Sequence, residues 1–149
     1  MTIRFAVHGT PIQQGSSRAF VRNGRAVITS DTRRDLRSWR RRIAMAARAA
    51  MGGEKLAKDV PVTVRLVFRM PPPQKMPKGR IAPTTTPDID KLLRATLDAL
   101  KIGEVYEDDC QVVDEHSVKL YATPERPPGL YIEVEWPCEQ AELFGRKAG

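Results

Sequence analysis

The sequence predicts a single small α+β domain, a mixed α/β arrangement with one mixed β-sheet, an N-terminal β-hairpin and two main helices. Three observations carry that expectation. Two stretches place apolar residues at helical spacing, several shorter ones alternate apolar and polar as strands do, and a length of 149 residues suits one core without room for a second. An apolar fraction of 41% with 29% charged residues belongs to a folded chain and excludes disorder throughout, while 12 prolines announce several long connections.

The elements follow in order. Residues 3–8, Ile-Arg-Phe-Ala-Val-His, alternate as a half-buried strand, and Gly9-Thr10-Pro11 ends the run. Ala19 to Arg22 and Arg25 to Ile28 flank Asn23-Gly24, a dipeptide that supplies the two left-handed positions of a tight hairpin turn. Asp31 or Thr32 can cap a helix reaching Met51, on which Leu36, Trp39, Ile43, Ala46, Ala47 and Ala50 recur at spacings of three and four before Gly52-Gly53 stops it. Val60 to Phe68 reads as a core strand, and Met70 to Thr86 as a long basic loop punctuated by prolines. Helical spacing returns from Asp88 to Lys101 with Gly103 just past the end. Val112, Val113, Val118 and Leu120, then Tyr131, Ile132, Val134 and Trp136, give two closing strands around the turn Pro124 to Gly129. The resulting order is βββαβαββ.

No run of 18 apolar residues exists and Met1 to Phe5 lacks the apolar stretch of a secretory signal, so we expect a cytoplasmic protein without a membrane partner. Cys110 and Cys138 have neither the spacing of a zinc site nor the density of a disulfide scaffold, and read as reduced thiols.

Charge is distributed more tellingly than its sum of +7. Residues 1–51 hold eleven arginines against two aspartates. Arg18 precedes the hairpin, Arg22 and Arg25 lie on it, Arg37, Arg40, Arg41 and Arg48 lie on the helix, and Lys75, Lys78 and Arg80 on the loop. Such a face is either simply solvated or a footprint for phosphates, and the excess of arginine over lysine favours phosphate contact. In contrast, Glu104, Glu107, Asp108, Asp109, Asp114 and Glu115 crowd into twelve residues. Carboxylates beside a polyanion are explained by a bound cation.

Asp88 and Asp90 sit at a helix entrance after Pro87, with Arg94 and Asp98 one and two turns further on the same face. Arg94 and Asp98 are explained equally well by an ordinary i, i+4 ion pair. Asp109 follows one helix length later, where the return of the chain can carry it back beside Asp88 and Asp90. Three carboxylates would then converge. Such oxygen donors suit magnesium, and no histidine or cysteine cluster competes for zinc. A bound magnesium could activate water for phosphodiester hydrolysis, with Arg94 stabilising the transition state. Read from residues alone, the acidic segment is also a plain solvated turn.

Pro87-Asp88-Ile89-Asp90-Lys91-Leu92-Leu93-Arg94, Asp98-Ala99-Leu100, Gly103, Val105-Tyr106 and Glu107 to Val113 together resemble the RusA-type Holliday junction resolvases. The likeness extends over residues 3–136, taking in Gly9-Thr10-Pro11, Arg18, the hairpin and the arginine helix. What it implies is a homodimeric, magnesium-dependent endodeoxyribonuclease, bacterial or phage-encoded, that resolves four-way or branched DNA. The metal ligands would be Asp88, Asp90 and Asp109, with Arg94 also catalytic and Lys91 among the DNA contacts. The chain departs from the family pattern at Lys91 and Arg94, where asparagine and lysine are usual, and at Gln13 to Ser17, where a basic proline-containing run is typical. A non-catalytic DNA-binding accessory protein and an RNA-directed metal nuclease remain the alternatives.

We place the domain at residues 1–136 and a tail at 137–149. There, Gln140, Leu143 and Phe144 resemble the Gln-x-x-Leu-Phe peptide by which bacterial replication proteins bind the sliding clamp. The Leu-Phe pair serves either as an anchor in another protein's groove or as an apolar cover folded back on the domain.

Overall fold

The computed structural model describes residues 1–15, 20–27 and 31–138, with the side chains of 20–22, 26–27 and 31–33 left aside. The strands are β1 (Thr2–His8), β2 (Phe20–Arg22), β3 (Arg25–Val27), β4 (Val62–Met70), β5 (Val112–Tyr121) and β6 (Gly129–Glu135). The helices are α1 (Asp31–Met51) and α2 (Ile89–Ile102), and a 3-10 turn spans Asp109–Gln111. The order is the one expected, and the fold is mixed α+β.

Four strands form one sheet in the order β1-β6-β4-β5, while β2 and β3 pair only with each other. Strand β4 is antiparallel to β6 and parallel to β5, and α2 lies in the connection between the parallel pair. A parallel pair needs such a long crossover, because a tight hairpin can only reverse the chain. The hairpin turn behaves as its sequence requires, with φ of 53° at Asn23 and 74° at Gly24.

Alternation on β4 decides which face is covered. Val62, Val64, Leu66, Phe68 and Met70 are all buried, and they join Trp39, Ile43 and Ala47 of α1 and Leu92, Ala99 and Leu100 of α2 in one core. Each such aliphatic side chain contributes about 1.5–3 kcal/mol by leaving water. The other face of the sheet carries Arg4, Arg65, Glu133 and Glu135, joined by contacts of 2.8 to 3.2 Å between Arg4 or Arg65 and the two glutamates. Strand β4 begins at Val62 rather than Val60, because the Val60 N–H is already taken by Ala57 O at 3.0 Å in the preceding turn. No helix among the described residues is long and apolar enough to cross a membrane.

The end of α2 departs from the expected reason for its glycine. Gly103 has an ordinary φ of −74°, and the left-handed residue is Glu104 at φ 60°. Gly103 is needed for a different cause: a Cβ there would stand 2.6 Å from Ala44 O of α1. The two helices touch backbone to backbone at this point. Gly103→Ala should therefore lower unfolding free energy by roughly 1–3 kcal/mol through overpacking, measured by denaturant titration. Unchanged stability would mean that α1 can slide away freely.

Candidate active site

The entrance to α2 is held from three directions. Asp88 is the N-cap, with extended backbone (φ −75°, ψ 139°), and its side chain makes no capping hydrogen bond. The Asp88 N–H donates to Gln13 Oε1 at 2.8 Å, the bond that a Glu or Gln at the third helical position makes in a capping box and that Lys91, with no acceptor, cannot make here. Lys119 of β5 donates to Thr85 O at 2.8 Å and Pro87 O at 2.7 Å, fixing the approach to the helix. Gln14 N donates to Lys91 O at 3.2 Å. The carboxylate of Asp88, which makes no capping bond, and that of Asp90 are exposed at the positive end of the helix dipole, where negative charge is favoured. Lys91 is half-buried and sits 3.2 Å from Asp88 Oδ2, so its ammonium is directed at this acid.

The other end of α2 carries a second acidic group. Gln111 is buried and uses all of its side chain: Oε1 accepts from Glu107 N at 2.8 Å and Asp108 N at 3.1 Å, while Nε2 donates to Ala57 O at 2.8 Å and Val60 O at 3.1 Å. That clamp fixes the 3-10 turn bearing Asp109. Asp108 lies 3.3 Å from Lys101 Nζ. A hydrogen bond shared with Asp108, then burial and the charges of Asp108 and Asp98, push Asp109 above the usual carboxylate range, against a smaller opposing pull from Lys101. Asp108 shifts the opposite way, lowered by that same hydrogen bond and by Lys101. Tyr106, whose hydroxyl donates to Leu97 O at 2.8 Å, is raised by burial and then by Asp109, Asp98 and Asp108.

The expected return of Asp109 to the helix entrance does not occur within one chain. Only residues 103–108 separate α2 from the 3-10 turn, so Asp109 remains beside Asp98 and Lys101. Strand β5 then runs back along the helix, and the residue that reaches the entrance is Lys119. About 12–15 Å of helix axis lies between Asp98 and the Asp90–Asp88 pair. Among the described residues, no three His, Cys, Asp or Glu side chains are gathered closely enough to hold a metal ion.

The basic residues divide as well. Arg25, Arg37, Arg41, Arg48, Lys75, Lys78 and Arg94 are exposed, and Arg80 partly so. Arg40 corrects the expectation of one continuous arginine face: it is half-buried and donates to Asp98 Oδ2 at 3.3 Å. Its place on the helix explains this, since Leu36, Ile43, Ala44 and Ala47, at spacings of three, four and seven, are all buried. Asp98 accordingly takes its partner from α1, rather than from Arg94. Arg42, the neighbour of Arg41, turns to the end of β1, donating to His8 O, and lies 5.7 Å from the Trp39 ring centroid. Arg18, Gln140, Leu143 and Phe144 lie outside the described residues, as does the side chain of Arg22.

Gln13, Gln111 and Lys119 were not legible as site residues. For Gln111 a signal existed, since Asp108-x-x-Gln111 has capping-box spacing and both reciprocal bonds form. Lys119 offered none, because a charge in an alternating strand reads as solvent-facing.

A helix-backed mixed sheet, acidic at both ends of one helix and arginine-rich on the exposed face of the other, has the charge layout of a polyanion-directed domain. The chain belongs to the endodeoxyribonuclease RusA family, whose model matches residues 9–135. It is also similar to an uncharacterized protein, YqaN, of Bacillus subtilis (strain 168), with 29% identity over 140 residues that cover 89% of this chain and 96% of that one.

The raised Asp109 has a consequence for stability. Between its unfolded and folded values the folded chain binds the proton more tightly, so this group lowers stability as pH rises through that window. Asp109→Asn without metal should melt above the parent chain at pH 7, with the difference vanishing near pH 3, as followed by thermal denaturation. A lower melting point at pH 7 would show that the carboxylate makes a net stabilising contact.

Proposed function

We propose that this protein is a magnesium-dependent endodeoxyribonuclease that resolves Holliday junctions and other branched DNA by paired phosphodiester hydrolysis. The family match over residues 9–135 carries this reading. Asp88 and Asp90 would hold the ion, with Asp109 the further carboxylate that the family motif names. Their donors suit a hard cation in kind, being carboxylate oxygens, and Asp88 spends none of its own on capping the helix. Magnesium takes one or two protein carboxylates and completes its shell with water and phosphate oxygens, so the Asp88–Asp90 pair is a sufficient seat. Asp109 is assigned to the site by its place in the motif Asp108-Asp109-x-Gln111-Val112-Val113 alone, since within one chain it stands at the other end of α2.

When bound, magnesium supplies an activated water, neutralises the scissile phosphate and eases departure of the leaving oxygen. The chain's own residues do the rest. Arg94, one turn from Asp90, meets charge developing on the phosphate. Arg37 and Arg41 of α1, Arg22 and Arg25 of the hairpin, Arg18, and Lys75, Lys78 and Arg80 of the loop contact backbone phosphates, which positions DNA without reading its sequence. Lys91, already turned to Asp88, balances that carboxylate until phosphate arrives. A homodimer matches the two-fold symmetry of a four-way junction and makes two cuts in one encounter.

Asp90→Asn and Asp109→Asn should each abolish magnesium-dependent nicking of a synthetic four-way junction while leaving junction binding intact or tighter, because a negative charge near phosphate is lost. Cleavage surviving in Asp90→Asn overturns the site, and cleavage surviving in Asp109→Asn alone removes that residue from it. Binding without cleavage by the parent chain, with or without magnesium, would make it an accessory protein, and preferential competition by structured RNA would change the substrate class.

Residues 137–149 form, in this reading, a tail whose Gln140, Leu143 and Phe144 engage the bacterial sliding clamp. Deleting residues 138–149 should leave cleavage unchanged and eliminate co-elution with the clamp. Loss of folding would instead mean that the Leu-Phe pair covers the domain.

A further inference from the structure

Arg40 is the arginine of α1 that pairs with an acid of α2, whereas Arg48 pairs with Glu104 just past the end of that helix at 3.6 Å. The Arg40 side chain is 24% exposed, its Nη2 donates to Asp98 Oδ2 at 3.3 Å, and its buried Nε has no acceptor among the described residues. Asp98 occupies a pivotal place. By helical spacing it shares a face of α2 with Asp90 and Arg94, and it also stands close enough to act on Asp109 and Tyr106.

Three acids meet around the 3-10 turn, and two of them have a cation. Asp98 has Arg40 from α1, and Asp108 has Lys101 from α2. Among the described residues, Asp109 has no ion-pair partner. The two cations therefore hold Asp98 and Asp108, while the exposed Asp109 shares a hydrogen bond with Asp108. Arginine suits the hold on Asp98, because its planar fork keeps its charge whatever the surroundings and restricts the acid's orientation more than an ammonium does. Helix α1 is itself fixed against α2 at the Gly103–Ala44 contact, so Arg40 reaches Asp98 from a rigid base.

We propose that Arg40 is a positioning residue of the nuclease site, fixing Asp98 between the Asp90 face of α2 and the Asp108–Asp109 pair, and that it is not a phosphate ligand. The proposal rests on the nuclease reading above. It predicts that α1 does two separate jobs: Arg37 and Arg41 face DNA, whereas Arg40, at the helix position between them, works through Asp98. Groups outside the ligand shell that orient a metal site typically cost 10–100-fold in metal affinity or activity when removed.

The test uses the full chain with Arg40→Met, Arg40→Lys, Arg41→Gln and Asp98→Asn. Methionine preserves the length and apolar stem of a half-buried arginine, and a thermal melt of each variant verifies folding. Binding to a four-way junction is measured in EDTA over a range of salt, and cleavage under magnesium over a range of junction concentration. Arg40→Met should keep the parent's salt slope, keep its KM and lose kcat 10–100-fold. Arg40→Lys should recover part of that loss, and the Arg40→Met/Asp98→Asn double variant should be no worse than the weaker single one. Arg41→Gln should lower the salt slope by about one, as expected for one phosphate contact removed. The proposal is overturned if Arg40→Met lowers the slope by about one, if it keeps the parent's kcat at saturating junction, or if the double variant multiplies the two losses. A parent chain that leaves the junction uncut under magnesium and manganese would sink the nuclease reading instead, and the metal-free slopes would still decide whether Arg40 touches phosphate.

Discussion

The shortness of the path from α2 to β5 governs where chemistry can occur in this domain. Residues 103–108 turn the chain at once, and Gln111 locks that turn to the segment before β4 through four hydrogen bonds. An amide with every donor and acceptor satisfied is a stiff joint, because releasing any bond leaves a buried polar group unpaired. From this joint β5 must run antiparallel to α2. One helix therefore displays acids at both ends, with Asp98 between, and Lys119 of the returning strand stabilises the far end.

Charge is partitioned by depth as well as by position. Arg37, Arg41 and Arg94 are exposed with no acidic partner among the described residues, whereas Arg40, Lys91 and Lys101 are directed at Asp98, Asp88 and Asp108. Ion pairs that remain in partial contact with water contribute little stability. Their effect is to orient acids that would otherwise repel one another, which is a matter of arrangement more than of folding energy. The domain rests instead on the β4 core and on the backbone contact between Gly103 and Ala44.

The fold was legible because periodicity reports burial directly: the alternating valines of β4 and the spaced leucines of α2 face one core. The carboxylates were legible as residues and not as an arrangement. Asp88, Asp90 and Asp109 are visible in the sequence, but the direction of the return strand depends on loop geometry that spacing alone does not encode. The half-burial of Arg40 is hidden in a run of three arginines, although the apolar neighbours at positions 36, 43, 44 and 47 mark the side of α1 on which it lies. Gln13 and Lys119 act over long sequence separations, at Asp88 and at Thr85 and Pro87, and such pairings exist only once the sheet has formed.

The hairpin of β2 and β3 shares no ladder with the main sheet. A ribbon of two three-residue strands is marginal by itself, and it adds little to the cooperative unit. Its sequence is thereby released from the demands of folding. Substitutions along it can alter length, charge and contact chemistry while the core and both acidic ends of α2 keep their places. Evolution thus has a segment in which substrate preference can drift without endangering the scaffold that holds the acids.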